Sequence, residues 1–117
     1  MHKSLQALGR LPAGTMNKTE KAYESFLKQK LFVGEILWFK FEAIKFRLAD
    51  RTYYTPDFLV LNSKSELEAH EVKGSPAIYL DDAKVKVKTC ADMYPISFFV
   101  AFPKKGSHMT QWDIQEV

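Results

Sequence analysis

A single cysteine, Cys90, stands in 117 residues. A lone thiol excludes a disulfide framework and a cysteine-built zinc site, and it fits a reducing compartment. Histidine is also scarce: His2, His70 and His108 show none of the close pairing that zinc sites use. No apolar run approaches the length of a transmembrane helix, so no membrane partner is expected. The first residues contain no continuous apolar segment, so a secretory leader is not expected either. Phosphate-cradling glycine loops, nucleophile elbows, internal repeats and low-complexity tracts are all missing. Neither sign of charge is in large excess; the net +3 permits a polyanionic partner without demanding one. These absences leave one ordinary domain, long enough to bury a core and too short for two.

Residues 1–16, with Gly9, Pro12 and Gly14, lack sustained periodicity and read as a flexible N-terminal arm. Residues 17–117 read as a single domain. Asn17-Lys18-Thr19-Glu20 has the form of a capping box, and Tyr23, Phe26, Leu27 and Leu31 follow at helical spacing up to Gly34. Ile36 to Leu48 reads as one bent strand, with Trp38, Phe39 and Phe41 as core. Two apolar runs, Tyr53–Leu61 and Leu67–Lys73, flank the turn residues Asn62-Ser63-Lys64-Ser65 and form a hairpin. Asp81-Asp82 open a second helix whose inner face is Leu80, Ala83, Val87, Cys90, Ala91 and Tyr94, ended by Pro95. Ile96–Phe102 is apolar on both faces, as in a strand covered on both sides. Pro103–His108 reads as a loop and Thr110–Val117 as a last strand. The order is α-β-β-β-α-β-β: a mixed α/β (α+β) fold whose central sheet is flanked by helices.

Chemistry concentrates at Pro56-Asp57 and, fourteen residues after Asp57, at Glu71-Val72-Lys73. If Asn62 pairs with Glu66 across a three-residue loop, counting outward sets Asp57 opposite Glu71. Opposed residues share a face with Cβ atoms about 5 Å apart, and like charges there repel. A hard divalent cation removes that repulsion, since Mg²⁺ prefers oxygen ligands. Lys73 lies two residues beyond Glu71 and points to the same side. The pattern is a candidate metal site with a cation beside it.

Each of these residues also has an ordinary explanation. Pro-Asp pairs are common in turns, and Lys and Glu are common on strand edges. Glu20, a third acid, lies about 60° from the centre of its helix's apolar stripe, whereas Glu24 lies about 100° away with Lys28 at i+4. Glu20 is therefore preferred to Glu24 as a site residue, with capping as its rival role. Lys84, Lys86 and Lys88 flank the second helix's core stripe; Asp81–Lys84 and Asp82–Lys86 pairs would make them a solvated face, and with Lys73 nearby the three are also candidate DNA-phosphate contacts. His70 should point away from Glu71, to the opposite face.

Tyr54-Thr55-Pro56-Asp57-Phe58 with His70-Glu71-Val72-Lys73-Gly74 resembles the PD-(D/E)XK nuclease superfamily, whose restriction-endonuclease-like core runs α-β-β-β-α-β. Met16–Glu20, Tyr23, Trp38–Glu42 and Asp81–Lys86 are similar to segments of small phage and prophage endonuclease-like proteins. The likeness spans roughly Gly9 to Phe102. It implies that Asp57, Glu71 and the Val72 carbonyl bind Mg²⁺ (or Mn²⁺), and that Glu20 completes or supports that site. Lys73 takes the place of the lysine that orients the attacking water, and Lys86, with Lys84, matches basic positions that contact DNA. The implied activity is Mg²⁺-dependent hydrolysis of DNA phosphodiester bonds in phage DNA metabolism, within a bacterial cytoplasm. Branched or otherwise structured DNA is the expected substrate, a homodimer the expected form for cutting two strands, and replication, recombination or packaging proteins the expected partners. The rival expectations are a non-catalytic DNA-binding module and a subunit that cuts only with a larger partner.

Overall fold

A computed structural model of the chain describes residues 14–104 and 110–117. The expected arm up to residue 13, and Lys105 to Met109 of the expected loop, lie outside the described residues. The described part opens with Gly14, whose amide donates to Glu42 Oε1 at 2.9 Å, and with Met16, which packs on the core.

Helix α1, Lys18–Phe32, begins where the capping box closes. Asn17 Oδ1 accepts from the Glu20 amide at 2.8 Å, and the Asn17 amide donates back to Glu20 Oε1 at 2.9 Å. Two otherwise orphaned helix N–H groups are satisfied this way. Gly34 turns the chain at φ +81°, a left-handed conformation that glycine adopts without a Cβ penalty. Tyr23 and Leu27 are fully buried, but Leu31 is 41 % exposed, so the apolar stripe stops one turn short of the expected length.

The expected bent strand is two strands. Strand β1, Ile36–Phe41, ends at Glu42, which sits at φ 46° with its amide bonded to the Asp57 carbonyl at 2.8 Å. The chain then leaves the main sheet to form β2, Phe46–Ala49, paired only with β3, Thr52–Tyr54. The expected Tyr53–Leu61 strand is likewise divided, because Pro56 has no N–H to offer a ladder. Beyond it β4, Phe58–Asn62, and β5, Leu67–Val72, form the predicted hairpin. Asn62 organises its turn: its side-chain oxygen accepts from the Lys64 and Glu66 amides, and its backbone N–H pairs with the Glu66 carbonyl. Ser65 takes the left-handed position that such three-residue loops require.

A 3-10 turn, Pro76–Ile78, and helix α2, Asp81–Met93, carry the chain to β6, Ser97–Lys104, which runs parallel to β5. Parallel neighbours need such a crossover, since no tight turn can join them. Strand β7, Gln111–Glu116, adds antiparallel to β6. The main sheet has the order β1-β4-β5-β6-β7 and is mixed.

Strand alternation divides the core into two layers. On one face Tyr23 and Leu27 of α1 meet Phe58, Val60, Val72 and Ala101. On the other, Val87 and Cys90 of α2 and Phe46 and Tyr54 of the small hairpin meet Ala69, Phe98, Val100 and Phe102. Leu80 is 65 % exposed and drops out of the inner face predicted for α2. Trp38, expected in the core, is 39 % exposed, while Phe39 and Phe41 pack against Phe58. On an edge strand, one face is enough to hold the chain, and Trp38 occupies the other. No helix among the described residues is long and apolar enough to cross a membrane.

Candidate active site

The β4–β5 ladder runs Phe58↔His70, Leu59↔Ala69, Val60↔Glu68 and Leu61↔Leu67, so one step outward sets Asp57 opposite Glu71, as counted from the sequence. Asp57 occupies the break between β3 and β4, directly after the buried Pro56. Its Oδ2 accepts from the Val72 amide at 2.8 Å, which pins the carboxyl against the end of β5. Glu71 is only 7 % exposed. Its two oxygens are held from opposite sides. The Tyr54 hydroxyl donates to Oε1 at 2.7 Å, and Lys73 Nζ stands 3.2 Å from Oε2.

Burial and the neighbouring Glu71 charge push the Asp57 carboxyl up to about 9, against the partial relief of the Val72 N–H. Burial also raises Glu71, with Lys73 and the Tyr54 hydroxyl opposing the shift. With two donors of its own, Glu71 keeps the negative charge and Asp57 takes the proton. Tyr54 is driven far above its ordinary range by burial and by Glu71, so it remains a hydrogen-bond donor.

Glu20 reaches this pair from the first turn of α1. One carboxylate oxygen closes the capping box, and the group is near enough to push both Asp57 and Glu71 further up. Capping and site membership therefore coexist, because only one of its two oxygens is used by the cap. Glu24 instead pairs with Lys28 at 3.7 Å. Of the lysines on α2, Lys84 lies over the Tyr79 ring, 5.5 Å from its centroid, rather than in the Asp81 pair expected from spacing. Lys84 and Lys88 share one flank of α2, and Lys86 lies about 160° or more around the helix from both. The three do not form one patch.

His70 faces the other side of the sheet, as expected. Its Nε2 is 2.9 Å from Glu68 Oε1, and its Nδ1 is 2.6 Å from the Tyr23 hydroxyl. A carboxylate only accepts, so Nε2 carries the hydrogen and Nδ1 accepts from Tyr23. The chain continues to Asn62, which donates to Glu68 Oε2 at 3.0 Å; the His70 bond leads the causes that lower the Glu68 carboxyl. This network ties α1 to β5, the two elements that carry Glu20 and Glu71.

Two contributions escaped the sequence reading. Tyr54 looked like one more apolar strand residue, and its bond to Glu71 depends on β3 leaving the main sheet. The β2–β3 hairpin also presents exposed Lys45, Arg47 and Arg51; Arg47 is the register partner of Tyr53, and Lys45 Nζ lies 4.4 Å from the Tyr53 centroid. Among the described residues none of the three has an ion-pair partner.

A divalent cation suits the chemistry of this donor set. A buried and a half-buried carboxylate one step beyond the ladder, with both carboxyls pushed toward their protonated forms, are relieved by a charge of opposite sign. Among the described residues no three His, Cys, Asp or Glu side chains form a closed cage. Mg²⁺ does not require one, since it is commonly held by one or two carboxylates, several waters and substrate phosphates. Asp57 and Glu71 would hold it, with Glu20 at the margin. At Val72 it is the amide whose engagement with Asp57 is visible.

No family model, curated protein or solved structure matches the chain.

Proposed function

We propose that this protein is a metal-dependent endonuclease that hydrolyses phosphodiester bonds in DNA. The observation that carries the reading is the half-buried Asp57 and the buried Glu71, one step beyond the β4–β5 ladder, with Lys73 Nζ 3.2 Å from Glu71. Two acids and a lysine in the sequence order of the PD-(D/E)XK resemblance thus converge at one end of a hairpin. The order of elements is in keeping with it: without the β2–β3 excursion and β7, the chain runs α-β-β-β-α-β.

A bound Mg²⁺ or Mn²⁺ would polarise the scissile phosphate and lower the pKa of the attacking water. The protein's own residues do the rest. Lys73 supplies positive charge where negative charge builds in the transition state. Tyr54 and the Val72 amide hold the Glu71 and Asp57 carboxylates in one orientation each, so little reorganisation is needed when substrate arrives. Glu20 accepts a hydrogen bond from a water at the margin. The exposed cations of the β2–β3 hairpin suit the DNA backbone, which positions a protein without reading sequence. So small a surface favours structured or branched DNA, of the kind handled in phage replication, recombination or packaging in a bacterial cytoplasm. Cleavage of both strands would use a homodimer, whose two-fold axis matches that of the duplex.

The test is incubation of the pure protein with duplex, single-stranded and four-way-junction DNA, in Mg²⁺, Mn²⁺ or chelator. Cleavage should require metal and should vanish in Asp57→Ala. Activity that survives chelator or that substitution overturns the reading. Metal-dependent DNA binding without cleavage would identify a binding module or a partner-dependent subunit instead.

A further inference from the structure

Strand β1 is an open edge of the main sheet, and it carries a tryptophan that the core does not use. Phe39 and Phe41 turn to the α1 layer, where they pack on Phe58. Trp38 and Lys40 alternate to the opposite face, beside their register partners Leu61 and Leu59. Leu59 pairs in turn with Ala69, and two residues further on that face Asp57 stands opposite Glu71. The Glu42 amide, bonded to the Asp57 carbonyl at 2.8 Å, fixes the end of β1 beside the acids. One side of the sheet edge thus presents, in line, the acid pair, Lys40 and Trp38.

Trp38 is 39 % exposed, and among the described residues no other ring stacks on it. Lys40 is exposed, and among the described residues it has no ion-pair partner and lies over no ring. The acids at the two ends of β1 are engaged: Glu35 with Lys30 at 2.8 Å, and one Glu42 oxygen with the Gly14 amide. A lone exposed apolar side chain is ordinary. Trp38 differs because a cation stands two residues away and the acid pair lies beyond it. Aromatic rings hold nucleobases by stacking, and a cation beside the ring meets the backbone. From Leu61, the partner of Trp38, to Asp57 is four residues of strand, about 13 Å. A single strand covers that distance in about four stacked steps of about 3.4 Å, fewer when extended. A base inside a duplex is stacked on both faces and cannot lie on the ring; an unpaired base can. We propose that Trp38 and Lys40 form a subsite for a single-stranded stretch of the DNA substrate. The indole stacks on an unpaired base, and the ammonium meets a phosphate between that base and the cut. The subsite rests on the nuclease reading above and narrows its substrate to DNA with an unpaired strand beside the scissile bond.

The probes are oligothymidine and a blunt duplex, fluorescein-labelled for affinity in Ca²⁺ and unlabelled for tryptophan fluorescence. Oligothymidine should quench part of the wild-type emission, and that part should be missing in Trp38→Phe. Persistence of the whole quench in Trp38→Phe assigns it to Trp112 and overturns the subsite. Trp38→Ala should bind oligothymidine about ten- to a hundredfold more weakly, with Trp38→Phe between it and the wild type. Lys40→Met should lower the slope of log affinity against log salt by about 0.7, the single-strand value for one phosphate. Wild-type affinity for oligothymidine in Trp38→Ala, or an equal loss on the blunt duplex, overturns the subsite and leaves the nuclease reading standing on metal-dependent cleavage. A wild type that neither binds nor cuts any DNA removes the nuclease reading itself, and the subsite with it.

Discussion

A carboxyl group that keeps its proton at neutral pH costs the fold stability whenever solvent would rather ionise it. Asp57 is such a group: its carboxyl is raised from 3.8 to about 9 by burial first and Glu71 second. A raised folded-state pKa favours the folded protein at low pH, where both states are protonated. The advantage is lost as pH climbs from the unfolded value to the folded one, by up to about 1.4 kcal/mol per pH unit. Asp57→Asn should therefore stabilise the metal-free protein increasingly between about pH 4 and pH 9, and no further above. Urea denaturation in chelator at several pH values measures this, and a difference that does not change with pH would contradict it. At Glu20 the two roles separate cleanly. Gln also serves at N3 of a capping box, so Glu20→Gln should change stability by less than about 0.5 kcal/mol. Cleavage should nevertheless fall by one to several orders of magnitude. Glu24→Gln is the control; it loses only the pair with Lys28, worth about 0.3–0.5 kcal/mol, and should cut normally. The assignment reverses if the two variants exchange behaviours in cleavage assays.

The elements differ in what they can lose. Helix α1 is fastened to β5 by the Tyr23 hydroxyl on His70 Nδ1 at 2.6 Å, where Tyr23 is fully buried and His70 nearly so. Tyr23→Phe should leave the imidazole without its donor and cost about 1–3 kcal/mol, read by chemical denaturation. If its stability matches wild type, the bond is not what holds the helix. The β2–β3 hairpin behaves differently because only one of its faces is buried. Phe46 packs on Phe98 and on Tyr94, which follows α2 directly, while Lys45, Arg47 and Arg51 face outward. Single alanine substitutions at these three should be nearly silent in melting experiments. Each should lower the slope of log affinity for duplex DNA against log salt by about 0.9 if it contacts a phosphate. Unchanged slopes in all three variants would move the DNA path away from this hairpin.

At the scale of the whole molecule, a metal held at the proposed site would be linked to folding. A ligand that binds only the native state adds RT ln(1 + [L]/Kd), about 1.4 to 2.7 kcal/mol when the metal exceeds Kd ten- to a hundredfold. Mn²⁺ should raise the melting temperature of the wild type and leave Glu71→Gln unmoved. An equal rise in both proteins places the metal elsewhere. The proton on Asp57 must leave when the metal binds, so the rise should be smaller in acid than at neutral pH.

Local rules were enough for much of this chain. The capping box at Asn17 and Glu20, the hairpin register counted outward from Asn62 and the covered strand after Pro95 depend on neighbours in sequence and on the two-residue period of a strand. Hence the opposition of Asp57 and Glu71 was legible before any coordinate. Other features were not. Ile36–Leu48 has one composition throughout, and nothing local says that Glu42 will turn left-handed and send β2 to a second sheet. That departure is what carries Tyr54 under Glu71 and turns Lys45, Arg47 and Arg51 outward. The return of Tyr79 over Phe102 also depends on a crossover whose landing point is set by packing between β5 and β6. The sequence by itself determined which residues alternate, cap and turn, because those preferences act over a few bonds. Only the tertiary structure decided how deeply those acids are buried, which donors hold them and what their protonation costs, because burial and charge act between segments far apart in the chain.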